Sequence, residues 1–173
     1  MKALKSFAPV ADRSARILIL GSMPGEQSLA ANQYYAHPRN AFWPIMTRIL
    51  GIDPASTYDQ RLVSLKTAGI ALWDVLHSCI RPGSLDTSID ASSIKPNDFQ
   101  QFYRRHPRIA LVCFNGTMAE RCYRTHVLPS LSEPSLTSLR LPSTSPAHAS
   151  RTFEQKLAVW SAAVGSEIIQ DRA

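Results

Sequence analysis

With 173 residues, 45% of them apolar and 18% charged, the chain is long enough for one well-filled core and has a globular, not a disordered, composition. A formal net charge of +6 and a pI of about 9.5 favour an anionic partner, nucleic acid before membrane surface, although many folded proteins are mildly basic. No apolar stretch approaches the ~20 residues of a membrane helix, and the start, MKALKSFAPVADRSA, has no apolar core of the kind a secretion signal carries.

Residues 1–15 read as an irregular lead-in. Arg16 to Leu20 is a first buried strand, closed by Gly21, and Pro24-Gly25 makes a turn. From near Asn40 a helix runs over Ala41–Leu50, with Phe42, Ile45, Met46 and Ile49 at helical spacing, and Gly51 stops it. A second helix covers Tyr58–Ala68 and closes at Gly69. Ile70–Leu76 is the second core strand, followed by a Ser/Pro/Gly/Asp-rich loop over 77–94. Pro96 suits the first turn of a helix that continues to about Arg105, and Pro107 ends it. Ile109–Phe114 is the third core strand; Asn115-Gly116 leads into a helix from Thr117 to about Thr125. A Pro/Ser-rich connection, 127–136, precedes a fourth strand, Thr137–Leu141. The last helix, from about Arg151 to Val164, aligns Phe153, Leu157, Trp160 and Val164 on one stripe.

Strands alternating with helices imply right-handed crossovers and a parallel sheet covered on both faces, and no repeat or linker divides the chain, so residues 1–173 read as a single α/β domain. Four loops would then meet at the carboxyl end of the sheet: Gly21 to Asn40, Asp74 to Ser84, Asn115-Gly116 and Pro142 to Ala149. That edge is where open α/β sheets bind ligands.

The three cysteines, Cys79, Cys113 and Cys122, are odd in number and contain no CxxC, which suits buried thiols in a reduced, cytoplasmic protein. They are one short of the usual iron–sulfur set, and no HExxH or Cys/His ladder points to zinc. GSMPGE lacks the GK[ST] of a phosphate loop and is not GxGxxG. Ser22, His37 and Asp74 could be drawn as a triad, but GSMPG is not a GxSxG elbow and no spacing supports it. What the loops offer is aromatic faces (Tyr34, Tyr35, Phe42, Trp43), hydrogen-bonding edges (Asn40, Asp74, Asn115) and small hydroxyls (Ser143, Thr144, Ser145). That inventory suits a flipped nucleobase with its phosphates.

Four segments in order then resemble the uracil-DNA glycosylase superfamily over about residues 16 to 160. GSMPG after a strand is similar to the first motif, GINPG in the mismatch-specific branch; YAHPRNAFW resembles that branch's FAHPxNxFW. GIALWDV resembles the second strand, whose polar end residue reads the base in uracil-specific enzymes, and LPSTSPAHA resembles the second motif, usually HPS or NPS before a DNA-inserting loop. With FNG included, the combination looks most like the hypoxanthine-DNA (deoxyinosine) glycosylase branch.

The resemblance implies a three-layer α/β/α fold on a central four-stranded parallel sheet. It implies a monofunctional, monomeric base-excision glycosylase acting on DNA that contains a deaminated base, with no metal or cofactor. Asn40 takes the catalytic, water-holding role in that branch. Gly21, Ser22, Met23 and Pro24 form the first motif around the base, and Met23 replaces the Asp or Asn that holds water elsewhere in the superfamily. Tyr35 matches the aromatic that stacks on the flipped base, Asp74 the base-reading position, and Asn115 the FNG asparagine; His37 would contact a phosphate or water. Leu141 stands where His or Asn is usual. Ser143, Thr144, Ser145 and His148 would meet the DNA backbone or fill the stack. No lysine occupies a pocket position, so no Schiff base is expected.

Plainer roles stand beside these. Asn40 is a good helix cap, His37 could only fix its loop, Asp74 could cap or tie the next loop, Asn115-Gly116 and Ser143–Ser145 are natural turn sequences, and Tyr35, Phe42, Trp43, Trp73 and Trp160 suit a core. Arginines 104, 105, 108, 121 and 124 suit a solvated surface as well as a DNA-facing patch. A uracil or xanthine glycosylase, or a catalytically silent DNA binder that kept the fold, are the other readings. An ionised Asp74 would repel an anionic leaving base, so its carboxyl is expected to be protonated, tied to a donor or turned aside.

Overall fold

The computed structural model describes residues 3–132 and 136–168. Parts of the expected lead-in and of the Pro/Ser-rich connection, 1–2 and 133–135, lie outside them. In chain order the elements are β1 (Leu4–Lys5), β2 (Ile17–Gly21), α1 (Glu26–Ala31), α2 (Phe42–Leu50), α3 (Tyr58–Thr67), β3 (Ile70–Asp74), β4 (Leu76–Cys79), β5 (Lys95–Pro96), α4 (Phe99–Arg105), β6 (Leu111–Asn115), α5 (Thr117–Cys122), β7 (Thr137–Leu141) and α6 (Phe153–Trp160). The expected four-stranded parallel sheet is present, in the order β3-β2-β6-β7.

Strands β3, β2 and β6 are buried on both faces because they are apolar almost throughout, whereas β7, at the edge, is exposed as far as Arg140. Alternating side chains of β2 divide between two cores. Leu18 and Leu20 face one, with Trp73, Phe99, Phe102, Phe114 and Tyr123; Ile17 and Ile19 face the other, with Phe42, Ile45, Met46, Leu65 and Trp160. Helices α2, α3 and α6 cover the second face, while α4 and α5 cover the first. Both α3 and α6 open on Thr-x-x-Gln capping boxes, Thr57 with Gln60 and Thr152 with Gln155.

Three sequence expectations change. The strand read as Ile70–Leu76 ends at Asp74; beyond Val75 the chain joins a separate antiparallel sheet, β1-β4-β5. Pro96 lies in β5, not in a helix, and α4 starts at Phe99 behind the Asp98 cap. Helix α5 widens into a π-turn over Tyr123–Val127, and α6 does the same over Ser161–Gly165.

Trp160 links this packing to the loops. It is fully buried, its ring meets Phe42 edge-on at 6.0 Å, and its Nε1 donates to the Pro142 carbonyl at 2.9 Å. Trp160→Ala should lower stability by ~3–5 kcal/mol in a urea titration. Trp160→Phe, which keeps a ring but drops the tie to Pro142, should cost only about 1 kcal/mol of hydrogen bond beyond lost packing.

Candidate functional site

The strand register builds the floor of the site. Gly21 faces Asp74 across β2 and β3, Leu20 faces Phe114 across β2 and β6, and Asn115 faces Leu141 across β6 and β7. The last residues of the strands therefore form a row: Asp74, Gly21, Asn115, Leu141. Gly21 leaves a gap in this row, and the gap is filled. A Cβ there would lie 2.6 Å from Asp74 Oδ1 and 3.1 Å from Tyr35 Oη, so any side chain would have to displace the Asp74 carboxyl.

Tyr35 reaches this gap from a left-handed backbone conformation, φ 56°, unusual for a residue with a side chain. One face of its ring stacks on Phe42 with centroids 4.1 Å apart. The residue is only half-buried, whereas its hydroxyl is buried without a hydrogen bond. Burial chiefly, and Asp74 next, push that hydroxyl well above the usual phenol range; the Asn115 side chain works the other way. Asp74 is 3% exposed and its Oδ2 has no partner. Burial pushes its carboxyl up to about 7, Asp86 adds to the shift, and Arg81 opposes it. The expectation of a perturbed Asp74 therefore has a physical cause here: a desolvated carboxyl with an anionic neighbour.

The first-motif loop is held by a buried cation that sequence reasoning missed. The Arg81 side chain has no exposed surface. Its Nη2 donates to the Pro24 carbonyl at 2.6 Å, Nη1 to that of Met23 at 3.4 Å, and Nε to that of Gly83 at 2.9 Å. Asp86 lies 3.8 Å from the guanidinium and accepts from Ser22 Oγ at 2.7 Å. A Ser/Pro/Gly-rich segment reads as solvated, and only the spacing of Arg81 and Asp86 within RPGSLD hinted at more. Ser22 is thus committed to Asp86, and Pro24 supplies a carbonyl. The Met23 side chain packs into the core with Leu20, Trp73 and Phe99, so it does not line the floor beside Gly21.

Asn40 caps α2 from one residue ahead of the N-cap position, Ala41: its Oδ1 accepts from the N–H of Phe42, the first residue of the helix, at 2.9 Å. Among the described residues its Nδ2 has no protein partner, so the amide keeps bonding capacity beyond the cap. His37 fixes its loop, Nδ1 accepting from the Arg39 N–H at 3.1 Å, and its carbonyl accepts from Asn40 N–H at 2.9 Å.

Asn115 and Thr144 bond reciprocally. Asn115 Nδ2 donates to Thr144 Oγ1 and the Thr144 N–H donates to Asn115 Oδ1, each at 2.9 Å. The Thr144 carbonyl then accepts from the Ala41 N–H at 2.9 Å. Thr144 is 1% exposed, so the expected DNA contact is corrected: it ties three loops together inside the protein. Ser143 and Ser145 stay half-exposed, with hydroxyls accepting from the N–H groups of Ser145 and Ala147, each at 3.2 Å. His148 is also half-exposed; its ring meets Ser150 Oγ at 3.3 Å and its carbonyl accepts from the buried Lys156 ammonium at 2.7 Å. Leu141 is buried in the core.

Gly21, Tyr35, Asp74 and Asn115 therefore meet at one point, Asn40 is joined to them through Ala41 and Thr144, and His37, Ser143, Ser145 and His148 stand around the rim. A cleft of about 520 Å³ opens along the Tyr35–Asn40 loop, among His37, Trp43, Arg48, Tyr58 and Arg61. It shares Tyr35, His37 and Asn40 with the site but not Gly21, Asp74 or Asn115. Among the described residues no group of three or more His, Cys, Asp or Glu side chains is placed to hold a metal ion. No helix of the described residues is long and apolar enough to cross a membrane.

Comparison with known proteins matches this arrangement. The family model of the uracil DNA glycosylase superfamily matches residues 8–164. A hypoxanthine DNA glycosylase of Methanosarcina barkeri is 43% identical over 113 residues, 65% of this chain and 70% of that protein. One of Methanosarcina acetivorans is 37% identical over 137 residues, 74% of this chain and 85% of that protein. The solution NMR structure of a M. acetivorans protein described as a candidate uracil DNA glycosylase superposes with a TM-score of 0.78 at 33% identity, covering 94% of this chain and 97% of that one. With its first motif at Gly21, its second at Leu141 and the strand ends between them aligned in one sheet, the chain belongs to the uracil DNA glycosylase superfamily.

Proposed function

We propose that the chain is a DNA glycosylase that extrudes a deaminated nucleotide and hydrolyses its N-glycosidic bond, with hypoxanthine as the preferred base. The observation that carries this reading is the partly buried Tyr35, its ring stacked on Phe42 and its hydroxyl at Gly21 beside Asp74 and Asn115. The names of the two Methanosarcina relatives support the choice of base.

Extrusion costs roughly a few kcal/mol and least for a mispaired base. The flipped base stacks on the face of Tyr35 away from Phe42, with its edge toward Asp74 and Asn115. Asn40 holds the attacking water; the cap bond to Phe42 keeps its amide in one orientation while leaving bonding capacity for that water. The Arg81 clamp keeps the Gly21–Pro24 backbone pressed against the strand ends. The half-exposed Ser143, Ser145 and His148 are placed to meet the DNA backbone. Acceleration comes from placement and fixed dipoles, because no strong base lies beside Asn40.

The first test is a cleavage assay on DNA carrying a single hypoxanthine, uracil or xanthine, with alkali to break abasic sites. Hypoxanthine release should dominate. Release of uracil alone would overturn the base assignment. Tight, salt-dependent binding without abasic product would favour a silent binder, a reading that the buried apolar Met23 and Leu141 keep in play.

Substitution of Asn40 separates its two roles. Asn40→Ser keeps an oxygen for the Phe42 N–H, so its melting temperature should stay near that of the parent while single-turnover cleavage falls ~100-fold or more. Retained cleavage in Asn40→Ser would leave the cap as the whole role. Arg81→Ala should destabilise by ~3–5 kcal/mol in chemical denaturation, because it strands Asp86 and three carbonyls. Arg81→Lys should recover only part of that, since one ammonium cannot span the same acceptors.

A further inference from the structure

Two polar atoms are buried without a hydrogen bond at the same place, Asp74 Oδ2 and Tyr35 Oη. Both side chains converge on Gly21, where the missing Cβ lets them reach the end of the sheet. Buried polar groups are nearly always paired. An Asp that is 97% removed from solvent yet leaves an oxygen unpaired therefore marks a position built to meet something else. The groups that face it come from two directions: Tyr34 and Tyr35 from the loop after α1, and Asp86 and Arg81 from the loop after β4.

Resting on the glycosylase reading above, we propose that Asp74 is a catalytic acid, which touches the extruded base and protonates it as the glycosidic bond breaks. The Asp74 O–H bond breaks, and the proton goes to a ring nitrogen or the carbonyl oxygen of hypoxanthine. The electron pair of the C1′–N9 bond passes to the base, which leaves neutral. Water adds to the cationic C1′ and gives its proton to solvent, and solvent returns a proton to Asp74. The sum is hydrolysis, with the acid regenerated. Leaving as a neutral molecule spares the base the anionic charge that Leu141, buried and apolar, cannot stabilise.

The chemistry requires a carboxyl that is still protonated near neutral pH, and burial together with Asp86 hold Asp74 at about 7. The single-turnover rate of hypoxanthine release should be flat below about pH 7 and fall about tenfold per pH unit above it. Asp74→Asn should be ~100-fold slower at pH 6 and should lose the alkaline limb while still binding DNA. Asp86→Asn removes an anion that raises Asp74, so its limb should move to lower pH.

Melting temperatures supply a readout independent of activity. In the unfolded chain Asp74 loses its proton near its ordinary 3.8, in the folded chain near 7, so folding stability falls as pH rises through that window and levels off above it. The melting temperature of Asp74→Asn relative to the parent should therefore climb from pH 4 to pH 7 and then stay constant. A flat pH–rate profile in the parent, or an Asp74→Asn variant with parental rate, overturns the acid role even if the melting curves behave as stated. Absence of hypoxanthine release by the parent at any pH from 5.5 to 9 overturns the base assignment on which the proposal rests, and absence of release of hypoxanthine, uracil and xanthine alike overturns the glycosylase reading itself. The parent's own profile decides the matter if Asp74→Asn fails to fold.

Discussion

The space above Gly21 governs this site. Three groups compete for it: the hydrogen of the glycine, the Asp74 carboxyl and the Tyr35 hydroxyl. The parallel register of β2 and β3 sets Asp74 beside Gly21, and the packing around the strand ends leaves the residue only 3% exposed. The close approach accounts for the glycine, and the desolvation for the raised carboxyl. The left-handed backbone of Tyr35 accompanies its reach into this space. A methyl group at position 21 would collide with an oxygen at 2.6 Å and push apart the pair that the site is built on.

The two acidic environments near this point, a fully enclosed Asp74 and a partly exposed Asp86, differ in kind. Asp86 is compensated: it accepts from Ser22 and lies beside Arg81, which also satisfies three backbone carbonyls. That cluster is structural, in the sense that each charge has a reason to stay where it is. Asp74 is not compensated. The nearest cation is already engaged, and the anionic Asp86 disfavours a second negative charge. Burial raises both carboxyls, but the Ser22 hydrogen bond and Arg81 oppose the shift at Asp86, whereas Asp74 is pushed up to about 7, a separation that lets two similar groups take different roles.

The loops of the site are joined more closely than their separation along the chain suggests. Asn115 and Thr144 exchange two hydrogen bonds, Thr144 accepts from Ala41, and Trp160 holds Pro142 from below. A change at the start of α2 is thereby felt in the 142–149 loop, and the capping bond of Asn40 belongs to the same network. Cap and catalytic position are not alternatives here, since the bond that starts the helix also orients the amide. Fold and site were legible in unequal measure. The core strands were readable because burial on both faces demands uninterrupted apolar runs such as Ile17–Leu20 and Leu111–Phe114. Strands β1 and β5 were not, because two residues carry no periodicity, and Pro96 read more naturally as a helix start.

Local sequence determined what needs only neighbours along the chain: the parallel α/β order, the glycine ending β2, the cap before Phe42, and the set of polar and aromatic residues in four loops at one end of the sheet. Motif order along the chain also determined the family. Tertiary structure alone decided how those residues were used. It turned Met23 into the core, made Thr144 an internal tie, and drew Arg81 from a loop that reads as solvated into a fully buried clamp. The physical reason is that burial and electrostatic environment are properties of what lies opposite a residue. For Asp74 and Arg81 the partners come from segments that only the folded sheet brings within reach.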